Sequence, residues 1–238
     1  FREWWIQRAL DMVAHDEIDG VFIDAIVKAE VKRLPAKNHA EAYWATATEL
    51  RERMPEGKLL IGNALRVGHS KDGGYKHLKY LDGSYLENWC NPKPAALEKT
   101  LNLMSRALKQ GRMIMLKGEP THMDEKKLNS MASLDDRYNY VGKAEFIGFA
   151  LGYFLLIVEK HAYFSYRTGV DASPRAKSVF DNTRFDAITR KLGEPVGDYV
   201  AEGEGLFSRE FEYLNVKVNI QSMEGVLTVK DDGKGEEL

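Results

Sequence analysis

The sequence predicts an α/β fold in which a parallel sheet is followed by a small antiparallel β region. Three observations support this expectation. Over residues 1–183, short runs rich in β-branched and aromatic residues alternate with helical segments, as in βα units. Each of these runs carries a polar or ionisable residue at or beside its C-terminal end. From residue 184 onward, closely spaced runs alternate apolar and polar residues, which favours strands joined by turns.

The elements of the first region follow one another in a regular order. After an opening helix that carries Trp4 and Trp5, the predicted strands are Gly20–Ala25, Lys58–Asn63, Ser84–Glu87, Arg112–Lys117 and His161–Tyr166. Helices are predicted over residues 38–53, 94–110 and 135–158. Pro55 and Gly57 end the first of these, and Gly111 stands after the second, where glycine commonly ends a helix. Strands separated by helices in this way are expected to run parallel.

Residues 184–238 predict a small β appendage, which we treat as a second region. Strands are expected at Leu206–Phe211, Val216–Ile220 and Gly225–Lys230. In the middle run, every second residue is apolar, which is the period of a half-buried strand.

The composition excludes several classes of protein. Of the 238 residues, 44% are apolar and 29% are charged, unlike a disordered chain, a collagen or a coiled coil. The net charge of -2 offers no basic excess for a nucleic-acid partner. The single cysteine, Cys90, excludes an internal disulfide. No apolar run reaches the length of a transmembrane helix, so no membrane partner is expected. We expect a secreted or periplasmic protein rather than a cytoplasmic one, with any signal peptide upstream of Phe1.

An internal repeat is the most informative signal. Residues 19–24 read Asp-Gly-Val-Phe-Ile-Asp, and residues 82–87 read Asp-Gly-Ser-Tyr-Leu-Glu. In both copies, Asp-Gly is expected to form a turn into a strand that ends in an acid, Asp24 or Glu87. One further strand, ending at Asn63, lies between the copies.

Polar groups at strand ends predict a ligand site, because ligands of α/β sheets and barrels bind at the carboxyl ends of parallel strands. The five strand-end residues are Asp24, Asn63, Glu87, Lys117 and Tyr166, and the aromatic residues Tyr85, Trp89, Tyr163 and Phe164 lie near them in the sequence. Two carboxylates beside polar and aromatic groups are typical of a glycosidase, in which one acid attacks the anomeric carbon or activates water and the other protonates the leaving oxygen.

A purely structural explanation stays open for each acid. Asp24 could cap the following helix, and Glu87 could form an ion pair with Lys117. His69 is a further candidate for substrate contact, although a histidine in a surface loop is the more ordinary interpretation. Glu119, directly after the fourth strand, is the reserve acid.

No motif for a cofactor or metal is present. The histidines show no HExxH spacing, and the sequence contains no dinucleotide fingerprint, nucleophile elbow or P-loop. We therefore expect neither a metal nor an organic cofactor.

The runs DGVFIDA and DGSYLENW, followed by an apolar helix that leads into AYFSY, resemble the glycoside hydrolases of the hypothetical glycosyl hydrolase family 15 type. The later segments LGEPVG, SREFE and VKVN, in that order, resemble the closing part of the same family. The resemblance extends from about Trp4 to Ile220.

The resemblance implies a (β/α)8 TIM-type barrel with a carbohydrate substrate. It implies that Asp24, Asn63, Glu87, Lys117 and Tyr166 close strands 4 to 8. Acids on strands 4 and 6 are similar to those of retaining α-glycosidase barrels, which implies Asp24 as nucleophile and Glu87 as acid/base. Strands 1 to 3 have no counterpart, and a full barrel needs about 250 residues. We therefore expect a partial barrel over residues 1–183, completed by an N-terminal segment or another chain.

Together these arguments predict a glycoside hydrolase that cleaves a poly- or oligosaccharide, with Asp24 and Glu87 as the catalytic pair. Asn63, Lys117, Trp89, Tyr163, Tyr166 and His69 are the expected substrate-binding residues. Two alternatives are a non-catalytic carbohydrate-binding barrel and a polysaccharide lyase that uses Lys117 or a tyrosine as base.

Overall fold

The structure, a computed structural model, describes residues 1–24, 26, 39–67, 72–87, 89, 93–168, 179 and 181–230. Its strands are β1 (Gly20–Ile23), β2 (Leu59–Gly62), β3 (Gly83–Leu86), β4 (Met113–Gly118), β5 (Ala162–Tyr166), β6 (Val200–Gly203), β7 (Leu206–Glu210), β8 (Leu214–Asn219) and β9 (Glu224–Val229). Its helices are α1 (Arg2–Val13), α2 (His39–Arg53), α3 (Pro94–Lys109), α4 (Glu125–Ser130), α5 (Leu134–Val141), α6 (Ala144–Ile157) and α7 (Asp186–Thr189).

The strands form two sheets. The first contains five strands in chain order, β1-β2-β3-β4-β5, and the second contains β6-β7-β8-β9. Strands β1, β2 and β3 run parallel, with Ile23 opposite Gly62 and Gly62 opposite Ser84. Neighbouring strands of the second sheet are antiparallel. The predicted α/β class is therefore confirmed, and the second sheet lies in the region where the sequence predicts β-strands.

One helical stretch predicted by the sequence is two helices in the structure. Helices α5 and α6 meet at 60° because Lys143, which lies between them, has an extended rather than a helical backbone. No helix of the described residues is by itself long and apolar enough to cross a membrane, and this bent pair meets that criterion only when both halves are counted together.

The chain forms two compact units that interleave along the sequence. The first unit contains Phe1–Trp89, Asn102–Met115 and Glu159–Ala162, and the second contains Cys90–Leu101, Leu116–Val158 and Tyr163–Leu238. The region boundary predicted between residues 183 and 184 stays a prediction.

In the first unit, helices α1 and α2 cover β1 and β2. Their apolar faces bury Ile6, Val13 and Leu50 beside Leu60 of β2. At the surface, Arg53 pairs with Glu3 at 2.9 Å, which adds little stability because such exposed pairs are screened by water.

The repeated Asp-Gly pair has the same structural role in both copies. The backbone oxygen of Asp19 accepts a hydrogen bond from Leu59 N at 2.8 Å, and that of Asp82 accepts one from Met113 N at 2.9 Å. A Cβ atom on Gly20 would lie 2.1 Å from a backbone oxygen of the adjacent strand, and one on Gly83 would lie 2.3 Å from another. Glycine is therefore required at both positions, where the next strand approaches most closely.

In the second unit, helix α6 is buried against β8 and β9, with every residue from Phe146 to Ile157 inside the core. Its backbone carbonyls at the C-terminal end face Arg209 of β7, which is 5% exposed. The Arg209 guanidinium donates to the carbonyl oxygens of Leu155, Leu156 and Val158 at 2.9–3.2 Å. These bonds satisfy acceptors that a buried helix end would otherwise leave unpaired.

Candidate functional site

Asp24, Asn63 and Glu87 of the first unit lie at the carboxyl ends of β1, β2 and β3. Each directly follows its strand, and the backbone N–H of Asn63 donates to Ile23 O at 3.1 Å, which continues the parallel ladder. Because neighbouring parallel strands end at the same edge of a sheet, the three side chains converge.

Asn63 is the centre of this group. Its side-chain nitrogen Nδ2 lies 3.0 Å from Glu87 Oε1 and 3.4 Å from Asp24 Oδ1. An amide nitrogen carries two protons, so it can donate one to each carboxylate. Asn63 is only 2% exposed, whereas Asp24 is exposed and the Glu87 side chain is 27% exposed. The buried amide thus lies between two carboxylates that solvent reaches.

The shared nitrogen limits the distance between the two acids. Asp24 Oδ1 and Glu87 Oε1 cannot be more than about 6.4 Å apart, because Asn63 Nδ2 lies 3.4 Å from one and 3.0 Å from the other. The two carboxylates predicted from the repeat are therefore close enough to act on one bond.

Arg66 is a further member of the site that the sequence did not single out. Its guanidinium lies 3.5 Å from Glu87 Oε1 and 3.4 Å from the Glu87 backbone oxygen. Asn63 and Arg66, three residues apart, therefore contact the same carboxylate oxygen. The available signal was a cation shortly after a strand-end amide, and such a pattern is too common to predict a contact.

Aromatic residues stand two positions before Asp24 and Glu87, on the strands that these acids follow. Phe22 of β1 and Tyr85 of β3 meet edge to face, with ring centroids 5.8 Å apart. Phe22 is 50% exposed, so this pair presents an apolar surface beside the carboxylates.

The remaining predicted site residues have different surroundings. Trp89 is buried in the first unit. In the second unit, Lys117 is fully buried and its Nζ lies 2.6 Å from Glu119 Oε1, while Tyr163 is half exposed. His69 lies outside the described residues. No group of three or more His, Cys, Asp or Glu side chains able to hold a metal occurs within the described ranges.

Tyr166 is a core residue in this structure. It is fully buried, and its hydroxyl donates to Val141 O at 2.9 Å. Burial raises the pKa of the Tyr166 hydroxyl far above its ordinary value, since an ionised phenolate would lose its hydration. A direct contact of Tyr166 with substrate stays a prediction. Its contacts in this structure are those of a packed core residue.

Comparison with known proteins gives one clear relationship. The model of a family described as hypothetical glycosyl hydrolase family 15 matches residues 1–215. No protein among those with curated descriptions matches the chain.

Proposed function

The chain belongs to the hypothetical glycosyl hydrolase family 15, and we propose that it hydrolyses O-glycosidic bonds of a poly- or oligosaccharide with Asp24 and Glu87. The observation that carries the proposal is the shared contact of both carboxylates with Asn63 Nδ2. Most glycoside hydrolases use two carboxyl groups placed on either side of one glycosidic bond.

The proposal includes a retaining mechanism, with which the spacing of the two acids is compatible. Retaining glycosidases have carboxyl groups about 5–5.5 Å apart, whereas inverting enzymes separate them by about 6.5–9.5 Å. The limit of about 6.4 Å applies to the facing oxygens Asp24 Oδ1 and Glu87 Oε1, and the retaining separation lies within it.

In the proposed reaction, an Asp24 carboxylate oxygen attacks the anomeric carbon while the bond to the leaving oxygen breaks. Glu87 donates its proton to that oxygen. In the second step Glu87 takes a proton from water, the water oxygen bonds to the anomeric carbon, and Asp24 is released. Asn63 holds both carboxylates in place, and the Phe22–Tyr85 pair offers an apolar platform for a sugar face.

The proposal includes a (β/α)8 barrel of which these five strands are strands 4 to 8, completed by a further segment or chain that pairs with β1. Among the described residues, β1 pairs only with β2. Its sequence Gly-Val-Phe-Ile has none of the charges or prolines that usually protect an exposed edge from pairing. The lack of such protection supports the proposal that another strand pairs with β1. Lys117, Trp89, Tyr163, Tyr166 and His69 remain proposed substrate-binding residues.

The test is hydrolysis of a panel of poly- and oligosaccharides by the wild type, Asp24→Asn and Glu87→Gln. We expect each variant to lose about 10²–10⁴-fold in kcat, and the first product released to keep its anomeric configuration by NMR. Asp16→Asn and Glu56→Gln, the same changes at exposed positions of the first unit, are the controls. Wild-type rates in both Asp24→Asn and Glu87→Gln would overturn the proposal. Unsaturated products that absorb ultraviolet light would indicate a lyase, and binding without turnover would indicate a carbohydrate-binding protein.

A further inference from the structure

We propose that Ser84 is a positioning residue that fixes Asn63 and Arg66 around Glu87. The inference rests on the proposed function, since its consequence for catalysis requires Glu87 to be a catalytic acid. Ser84 belongs to β3 and is fully buried, and its hydroxyl accepts from two backbone N–H groups. Its effect must pass through the residues that it holds.

The hydroxyl of Ser84 binds the chain that leaves β2. Ser84 Oγ accepts hydrogen bonds from the backbone N–H groups of Ala64 at 3.2 Å and Leu65 at 3.0 Å. These are the two residues directly after Asn63. If β2 were longer, these N–H groups could donate to the backbone of a neighbouring strand. Here they donate to the Ser84 side chain instead, and β2 ends at Gly62.

Two further contacts hold the same segment. The backbone N–H of Arg66 donates to Gly73 O at 2.9 Å. A Cβ atom on Gly74, whose φ is +85°, would lie 2.0 Å from Ala64 O, so the two backbones are packed as closely as glycine allows. These contacts fix the backbone of residues 63–66. The side chains of Asn63 and Arg66, at the two ends of this segment, both contact Glu87 Oε1.

The two copies of the internal repeat differ in whether a hydroxyl is present at the position of Ser84. The copies 19–24 and 82–87 share the pattern Asp-Gly-x-aromatic-aliphatic-acid, and the variable position holds Val21 in one and Ser84 in the other. A β-branched side chain thus suits this strand position in the first copy. The second copy has a hydroxyl where the neighbouring segment needs an acceptor, because a buried backbone N–H without a partner is costly.

The experiment compares Ser84→Thr with Ser84→Val, whose side chains have nearly the same shape and differ in the hydroxyl. Selective labelling of asparagine allows the side-chain amide of Asn63 to be observed by NMR. We expect Ser84→Thr to keep the wild-type amide signal. In Ser84→Val we expect the two protons to shift toward the values of a free amide and to exchange with solvent about tenfold faster, a factor that corresponds to about 1.4 kcal/mol. Thr48→Val, the same replacement on α2 where the hydroxyl bonds Trp44 O, should leave the signal unchanged.

Kinetics form the second arm. On any glycoside that the wild type cleaves, we expect Ser84→Val to lower kcat about tenfold with little change in KM, and Ser84→Thr to restore it. Equal amide signals in Ser84→Thr and Ser84→Val would overturn the inference, whatever the kinetics. If the amide responds as expected but no glycoside is cleaved, the positioning of Asn63 stands and the proposed hydrolase activity fails instead.

Discussion

Gly148 of α6 and Gly225 of β9 meet backbone to backbone, with no space for a side chain on either. A Cβ atom on Gly148 would lie 2.3 Å from Gly225 O, and one on Gly225 would lie 2.2 Å from Gly148 O. This pair allows the buried helix to lie directly on the second sheet.

Replacing Gly148 with alanine is therefore expected to destabilise the protein. In an ordinary helix, Gly→Ala stabilises by about 1 kcal/mol, but here the methyl group would collide with backbone that cannot rotate away. We expect Gly148→Ala to lower the free energy of unfolding by about 2–3 kcal/mol, measured by urea denaturation. Gly197→Ala is the control, because nothing lies within 4 Å of its Cβ position. A neutral or stabilising Gly148→Ala would contradict the close approach.

Arg209 is expected to be a major contributor to the stability of the second unit. In Arg209→Met, the carbonyl oxygens of Leu155, Leu156 and Val158 lose a buried donor, at a cost of about 2–4 kcal/mol. Arg209→Lys should recover part of the loss, because an ammonium group also donates and favours a helix C-terminus. Urea denaturation measures both, with Lys217→Met on exposed β8 surface as the control. Equal stability of Arg209→Met and the wild type would contradict this role.

Tyr166 is expected to make stability fall in alkali. The raised pKa of its hydroxyl in the folded state means that, above about pH 10, the unfolded chain releases a proton that the folded chain keeps. Unfolding is therefore favoured as pH rises, by about 1.4 kcal/mol per pH unit for this one group. Tyr166→Phe removes the group, so its free energy of unfolding should decline less steeply than that of the wild type between pH 10 and 11. If the free energy of unfolding fell equally steeply with pH in both proteins, Tyr166 would ionise equally in the folded and unfolded states, which would contradict the prediction.

Asn63→Asp is expected to destabilise the protein in a pH-dependent way. It would place a third carboxylate in contact with Asp24 and Glu87, where like charges disfavour ionisation. The folded state would then bind the extra proton more tightly than the unfolded state, so stability is lost as pH rises above about 4. We expect a loss of about 2–3 kcal/mol at pH 8 and clearly less at pH 5, from urea denaturation at both values. Asn63→Ala adds no charge and should show the same loss at both.

Much of the first sheet could be predicted from the sequence. Strand β2 lies within the predicted run Lys58–Asn63 and helix α2 within residues 38–53, because apolar runs and turn residues act locally. Strand β6 and helix α4 were not predicted. Val200–Gly203 is exposed throughout and so lacks an apolar pattern, and Glu125–Ser130 is too short to show a period.

For the candidate site, the sequence placed Asp24, Asn63 and Glu87 at strand ends, and the structure brings these three together. The contact of Arg66 with Glu87 could not be predicted, since it depends on where the chain runs after β2. The alternative pairing of Glu87 with Lys117 was open in the sequence. In the structure Glu87 contacts Arg66 and Lys117 contacts Glu119.

The sequence alone specifies the order of the five strands in the first sheet and the polar residues Asp24, Asn63 and Glu87 that follow the first three of them. Both follow from interactions between residues near one another in the chain: period, turn chemistry and the Asp-Gly repeat. Three contacts become visible only in the folded chain: Asn63 lies between the two acids, Ser84 binds the backbone that follows Asn63, and Gly148 touches Gly225. These contacts depend on strand register and on packing between distant segments, which no local pattern specifies.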